Sequence, residues 1–379
     1  MWLVLGAVTL GIWLYLMFAR GAFWLEPVRF KPSREQMRAR VVAVVPARDE
    51  AEVIARSIRS LLSQRATDLH VVLVDDGSSD RTAAIAINTA ASIQATGRLT
   101  VLTAPPRPAG WTGKLWAVHQ GMQEAERRNP EFVLMTDADI EHSGESVAEL
   151  VALAQRHDLD LASLMALLHC DTFAERALIP AFVYFFFMLY PPAWIADPRS
   201  TVAGAAGGCM LLRSKTLFEV GGVSSIRHEL IDDCAMARAV KSAGGRLSLQ
   251  LTKSVRSIRP YRTFAEVHAM IARTAYTQLE YSPVLLIGTL AGLLITYAAP
   301  PLVAVLAPGY ARLLGVAAWL GMCVTFVPML RFYGRSILWA PLLPLIALFY
   351  SNATFYSAWA FYSGRGGQWK GRSQAISGS

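Results

Sequence analysis

Aspartates recur in this chain in pairs, and paired carboxylates do two kinds of chemistry: together they hold a hard divalent cation, or one of them accepts a proton. Among the pairs are Asp75-Asp76 in VDDGSSDRT, Asp137-Ala138-Asp139 in TDAD, and Asp232-Asp233 in HELIDDCAMARAV, with Asp49 of VVPARDEAEVI ahead of them. Asp-x-Asp on a turn brings two carboxylates close enough to share one cation, with coordination positions left for water and a diphosphate. Carboxylates alone would repel phosphate, so the cation belongs to the reading. The same residues also read as solvated turn aspartates and as an Asp-Gly turn in which Ser78 or Ser79 caps the next helix. Lys114, at a helix start in GWTGKLWA, is placed either to meet a phosphate with help from the helix dipole or to stand in solvent. Gly207 and Gly208 allow close approach of backbone to a ligand or mark a tight turn. His142, three residues beyond Asp139, reads as a surface histidine rather than a metal ligand. Neither GxGxxG nor GxxxxGK[ST] occurs, which leaves a dinucleotide-binding domain and a P-loop kinase without support.

The elements that must position these residues alternate strand and helix. Arg40 to Pro46 is a β-branched run, followed by Val53, Ile54, Ile58, Leu61 and Leu62 at helical spacing. The pattern repeats as 70–74 then 81–95, 99–103 then 112–127, and 132–136 then 144–155, with 161–168 as a further strand. Such alternation predicts a mostly parallel sheet with helices on both faces, and in these sheets ligands bind beyond the carboxyl ends of the strands. Asp49, Asp75-Asp76 and Asp137-x-Asp139 all fall at such ends. If 229–240 is helical, Asp232 and Asp233 project about 100° apart, so one of the two is expected to point into the site.

Composition adds a membrane. Hydrophobic residues make up 54% of the chain and charged ones 17%, with a net charge of +8, which is too apolar for disorder and too poorly charged for a freely soluble enzyme. Trp2 to Ala19 carries no charge and is expected to be an uncleaved anchor (1–20), followed by Arg20, Arg29, Lys31, Arg34, Arg38 and Arg40, which by the positive-inside rule set the next domain in the cytosol. Three further spans are expected within 283–362, at 283–307, 313–330 and 337–362, before a tail of 363–379 that carries Arg365, Lys370 and Arg372. The aromatic stretch 177–197, interrupted by Pro180, Pro191 and Pro192, reads as a kinked interfacial segment. Lys241, Arg246, Lys253, Arg256, Arg259 and Arg262 form a basic run suited to anionic lipid or a diphosphate; without an aromatic platform it does not suit nucleic acid. Cys170, Cys209, Cys234 and Cys323 have neither disulfide-framework nor zinc spacing.

In this order, VVPARDEAEVI, VDDGSSDRT, TDAD and HELIDDCAMARAV resemble the family 2 glycosyltransferases of GT-A fold, over about Arg40 to Tyr281. The resemblance implies that Asp49, Asp75 and Asp76 hold the base and ribose of a nucleotide sugar, and that Asp137 and Asp139 grip the sugar diphosphate through Mg2+ or Mn2+, Asp139 being the direct ligand. It further implies that Asp233 is the general base of an inverting displacement, with Asp232 standing where Glu is usual. PAGWTGKLWAVHQG, GGCMLLR and the terminal WKGR, together with the membrane segments, are similar to the hopene-associated glycosyltransferases of bacterial hopanoid biosynthesis, and more distantly to ceramide and carotenoid glucosyltransferases. That likeness implies a lipid acceptor, a UDP-linked donor and residence in the bacterial inner membrane with domain 40–281 facing the cytosol. The QxxRW element of processive relatives is incomplete: Arg273 is a candidate diphosphate contact, but Thr274 follows it where Trp is expected. The rival readings are a polyprenyl-phosphate glycosyltransferase, a polysaccharide synthase, and an inactive membrane scaffold.

Overall fold

The computed structural model describes residues 1–25, 39–65 and 68–365, together with the backbone of two short strands at 368–369 and 372–373. Arg29, Lys31, Arg34 and Arg38 of the basic stretch and Lys370 of the tail therefore lie outside the described residues. The chain divides into two compact units. One is helical (Met1–Pro27, His169–Ala193 and Pro260–Gln368), and the other contains the large sheet (Val28–Leu168, Trp194–Arg259 and Trp369–Ser379).

The chain opens with helix α1 (Trp2–Phe18). The alternation read from the sequence then follows: β1 (Arg40–Ala47), α2 (Ile54–Leu62), β2 (Asp68–Asp75), α3 (Thr82–Ser92), β3 (Leu99–Thr103), α4 (Gly113–Arg127) and β4 (Phe132–Thr136). A short β5 (Ile140–His142), α5 (Ser146–Arg156) and β6 (Leu161–Leu167) complete this half. After α6 (Phe173–Leu189) and α7 (Pro192–Ala196), the sheet unit resumes with β7 (Cys209–Arg213), α8 (Ser214–Glu219), α9 (Asp232–Ser242) and β8 (Leu247–Ser257). Strands β5, β7 and β8 are additions to the sequence reading. They build the second half of an eight-stranded sheet of order β3-β2-β1-β4-β7-β6-β8-β5, in which β1 to β4 are parallel and β7 runs antiparallel to β4 and β6.

Both faces of this sheet are covered, as its strand sequences require. Val41, Ala43 and Val45 of β1 cluster with Ile54, Ile58, Leu61 and Leu62 of α2, and each of the Val, Ile and Leu side chains contributes about 1.5–3 kcal/mol on full burial. On the other face Val44 and Val74 lie against α4, whose Gly121 has no room for a side chain. Register does the positioning: Ala47 of β1 stands opposite Asp75 of β2, so the loops carrying Asp49 and Asp76 leave the sheet side by side.

In the helical unit, the apolar C-terminal region forms α10 (Phe264–Ala272), α11 (Pro283–Leu293), a π-helical turn (Leu294–Ala298), α12 (Ala299–Leu306), α13 (Gly309–Phe332) and α14 (Leu343–Tyr362). Among the described residues, four segments are long and apolar enough to cross a membrane: Phe173–Ala196, Pro283–Leu306, Gly309–Phe332 and Ile337–Tyr362. α1, at 17 residues, is shorter. Of the interruptions expected in 177–197, the one at Pro180 does not occur, because a proline removes only one helical hydrogen bond and α6 continues from Phe173 to Leu189, whereas the one at the Pro191-Pro192 pair does, with α7 starting anew at Pro192. Arg20 donates to the Met188 carbonyl at 3.0 Å, a cation at the C-terminal end of that helix. Trp13 is fully buried and donates to the Thr296 carbonyl of the π turn at 2.8 Å, while Gly315 sits against the backbone of α12 with no room for a side chain and Gly6 packs closely on α13, where a Cβ would stand 3.1 Å from Leu314 Cβ.

Candidate active site

The loops after β1 and β2 are laced together by side chains that sequence spacing alone could not pair. Asp49 Oδ1 accepts from the Ser79 amide at 2.7 Å and hydroxyl at 3.0 Å, and Asp49 takes a left-handed backbone (φ 50°) to do so. The Ser79 bonds hold the Asp49 carboxyl below the usual carboxylate range. Asp75 Oδ1 accepts from the Ser78 amide at 3.0 Å and hydroxyl at 2.5 Å. Ser78 and Ser79 are thus acceptors' partners within the turn, more than helix caps. Asp76 is buried, with Arg48 3.6 Å from its carboxylate and donating to its backbone carbonyl. Three carboxylates and one guanidinium therefore frame the carboxyl ends of β1 and β2.

A second cluster forms where β4, α4 and α9 end or begin. The Thr112 hydroxyl caps α4 by accepting from the Leu115 amide at 3.3 Å, and this sets Lys114 in the first turn. Lys114 Nζ lies 3.0 Å from Asp137 Oδ1 and 3.1 Å from Asp232 Oδ2. Burial pulls its ammonium down, but Asp137, Asp232 and Asp233 outweigh that and hold it above the ordinary lysine range. Asp233 occupies the first turn of α9, where Gly207 N–H donates to its Oδ2 at 2.8 Å and Cys234 N–H to its Oδ1 at 2.7 Å. Burial, with Asp232 beside it, nevertheless pushes this carboxyl up to about 6. Asp137 is raised as well, by burial first and then by Asp139 and Asp232, against the pull of Lys114.

Both acids of the Asp232-Asp233 pair engage this cluster, where the helical geometry alone suggested one. They stand at the first two positions of α9, so one reaches Lys114 and the other the amide of Gly207. Gly207 has a specific job here: a Cβ at that position would sit 3.1 Å from Asp233 Oδ2. His142 is buried rather than at the surface. Its Nε2 meets the Thr136 hydroxyl at 3.0 Å, and burial lowers its imidazole to about 4, so it is a neutral part of the core beneath the turn. Arg273 belongs to the helical unit, exposed at the C-cap of α10. The basic run is also redistributed: Lys241 donates to the carbonyls of Trp194, Ile195 and Val202, Arg256 pairs with Glu141 at 2.6 Å, and Arg259 binds Asp139 and Glu50. These cations fasten loops and acids instead of forming a free basic face.

The donor chemistry of Asp137 and Asp139 suits a hard divalent cation, since both offer carboxylate oxygens and each carboxylate keeps one oxygen outside the bonds described to Lys114 and Arg259. Among the described residues there is no group of three or more His, Cys, Asp or Glu able to hold a metal by itself. Two carboxylates fit an ion whose remaining ligands come from a diphosphate and water. They do not fit an ion caged by protein.

Residues 42–220 match the family model described as Glycosyl transferase family 2. These residues form a glycosyl transferase family 2 domain. Among solved structures, a mannosyltransferase from Pyrobaculum calidifontis in complex with GDP-Man and Mn2+ is similar over 94% of this chain and 98% of its own, at 18% identity and a TM-score of 0.58. Glucosyl-3-phosphoglycerate synthase from Mycobacterium tuberculosis aligns over 64% of this chain and 80% of its own, at 17% identity and a TM-score of 0.39. A search of the curated proteins finds no significant sequence match. The glycosyltransferase domain has the GT-A fold, and its matched span includes β1 to β7 but ends before α9 and β8, which supply Asp233 and carry the chain to Arg259. Arg48, Glu50 and Arg259 are site residues that the sequence reading did not single out as such. The signal for Arg48 was its place beside Asp49; Arg259 was read only as one of a basic run, and nothing in the sequence pointed to its partners, which are 120 and 209 positions away.

Proposed function

We propose that this chain is a membrane-bound inverting glycosyltransferase that moves a sugar from a nucleotide-sugar donor, UDP-linked, to a hydroxyl of a lipid, a hopanoid being the acceptor class suggested by the sequence. One observation carries the reading: a carboxylate raised toward neutrality, Asp233, stands in one cluster with Lys114 and the Asp-x-Asp turn at the carboxyl edge of a GT-A sheet. The paired loops after β1 and β2, with Asp49, Asp75 and Asp76, hold the nucleoside. Asp137 and Asp139 hold Mg2+ or Mn2+, which when bound supplies positive charge to the leaving diphosphate. Lys114 gives the same leaving group a fixed cation from the chain itself.

Asp233 acts on the acceptor. Its carboxylate takes the hydroxyl proton as the oxygen forms its bond to the anomeric carbon and the bond from that carbon to the diphosphate oxygen breaks. The amides of Gly207 and Cys234 hold the carboxylate in place, and a base with a value near 6 is ionised at neutral pH yet more basic than an ordinary aspartate. An apolar acceptor leaves a bilayer only at high cost, and the four apolar helices support an enzyme that works where the acceptor is.

The test is transfer of radiolabelled sugar from a panel of nucleotide sugars to extracted bacterial lipids. Label is expected in a neutral lipid fraction, and it should disappear with EDTA and in Asp139→Asn. Label in polyprenyl phosphate or in polymer would replace the acceptor assignment, and failure of any nucleotide sugar to bind in the presence of Mn2+ would leave a scaffold.

A further inference from the structure

The second aspartate of the Asp-x-Asp turn is already held by a cation of the chain. β5 leaves the turn at Ile140 and pairs antiparallel with β8 so that Ile140 faces Ser257, and Ile258 N–H donates to the Asp139 carbonyl at 2.9 Å. The next residue is Arg259. Its Nε donates to Asp139 Oδ2 at 3.0 Å, while Nη2 donates to Glu50 Oε2. The guanidinium is 31% exposed and the two carboxylates 18% and 9%, so these charge-assisted bonds are largely withdrawn from solvent screening. Asp137 is engaged in the same way by Lys114. A divalent ion arriving alone therefore meets two carboxylates that each have a cation in place, and among the described residues no cluster of three or more metal-ligating side chains makes up the difference.

We propose that Arg259 is an internal counterion that keeps the Asp-x-Asp site closed to a free divalent cation and yields Asp139 only when a diphosphate arrives to take the guanidinium. The inference rests on the donor reading given above and adds its order of assembly. The chemistry is that of the guanidinium fork, which binds phosphate oxygens as readily as carboxylates and can exchange one anion for another. Glu50 retains one arm of the fork, so Arg259 remains at the site after it leaves Asp139. Cation and diphosphate then bind with positive coupling, and by linkage each raises the affinity of the other by the same factor.

The experiment titrates Mn2+ alone into the purified full chain in detergent, with free Mn2+ read by electron paramagnetic resonance, and repeats the titration with saturating uridine or guanosine diphosphate. Wild type is expected to bind Mn2+ alone weakly, and roughly tenfold or more tighter with the diphosphate. Arg259→Gln is expected to bind Mn2+ alone roughly tenfold tighter than wild type and to lose most of the gain from the diphosphate. Arg259→Lys, which keeps the charge without the fork, should fall between, and it decides the matter if the Gln variant lacks a cooperative thermal transition. Affinity for Mn2+ alone that is unchanged or weaker in the variants overturns the proposal. Failure of the donor reading looks different: wild type would then bind no nucleoside diphosphate even with saturating Mn2+, whereas the effect of Arg259 on Mn2+ alone needs no nucleotide.

Discussion

Asp233 shows how a neighbourhood sets the chemistry of one side chain. Two backbone amides and a place in the first turn of a helix would ordinarily lower an aspartate, and yet burial and the adjacent Asp232 raise it from 3.8 to about 6. The sign of the consequence differs for activity and for stability. In its proposed role as base, Asp233 must be ionised, so transfer at saturating donor should fall about tenfold per pH unit below pH 6 and level off above it. As a folded-state acid with a raised value, it contributes stability at low pH that is lost as pH rises from about 4 through 6. Asp233→Asn should lower transfer by at least about a thousandfold while leaving donor binding within a few-fold of wild type. A rate profile indifferent to Asp233 would move the base elsewhere, Asp232 being the first alternative. The residue types were legible in the sequence, because paired aspartates after predicted strands are a restricted pattern. Their partners were not, since Gly207 meets Asp233 only through the crossing of a loop and a helix 26 positions apart.

At the scale of elements, α4 does more than cover the sheet. Its N-terminus delivers Lys114, and its middle must lie close enough to β1 and β2 for that residue to reach Asp137. Gly121 makes this approach possible: a Cβ there would overlap Val44 Cγ1 and stand 3.0 Å from Val74 Cγ2. Gly121→Ala therefore sets two effects against each other, a gain of about 1 kcal/mol in helix propensity and an overpacking cost of about 1–3 kcal/mol. Because both valines are β-branched on rigid strands, overpacking is expected to win, and chemical denaturation should show a net loss of about 1 kcal/mol or more. Increased stability would mean that α4 lies further from the sheet. Strand alternation and the helix positions followed from hydrophobic periodicity; the later strands did not. β5 has three residues, and β7 and β8 follow loops and helices rather than a regular repeat, so their pairing is fixed by the sheet edge they complete. The pairing of Arg259 with Asp139 is legible only once β5 and β8 are paired.

For the whole molecule, the decisive property is how apolar surface is distributed. Val284, Ile287, Val305, Leu313, Leu338 and Leu345 of the helical unit are exposed, which in water would be unfavourable and in a bilayer is expected. By the positive-inside rule, the basic residues after the first helix in the sequence predict an orientation. Reporter fusions after Arg40 and after Ser282 should both read cytosolic, and a periplasmic reading at either would reject that orientation. The side of the C-terminal tail follows from the same experiment with a fusion after Arg365. Four candidate spans, with α1 as a shorter fifth apolar helix, are one more than the sequence reading counted, because Phe173–Ala196 is helical through Pro180.

What the sequence determined by itself is what local pattern can encode: uncharged stretches of membrane length, strands that alternate with amphipathic helices, and aspartates placed at strand ends. These follow from hydrophobic periodicity and from backbone preferences, which act over a few residues. The tertiary structure decided what depends on distance through space. It set Lys114 between Asp137 and Asp232, bound Asp233 to the Gly207 amide, buried His142 under the turn, and gave Asp139 to Arg259. Electrostatic and hydrogen-bond partners are chosen by the crossing of elements far apart in the chain, and their strength depends on the water that folding removes, so neither can be read from spacing along the sequence.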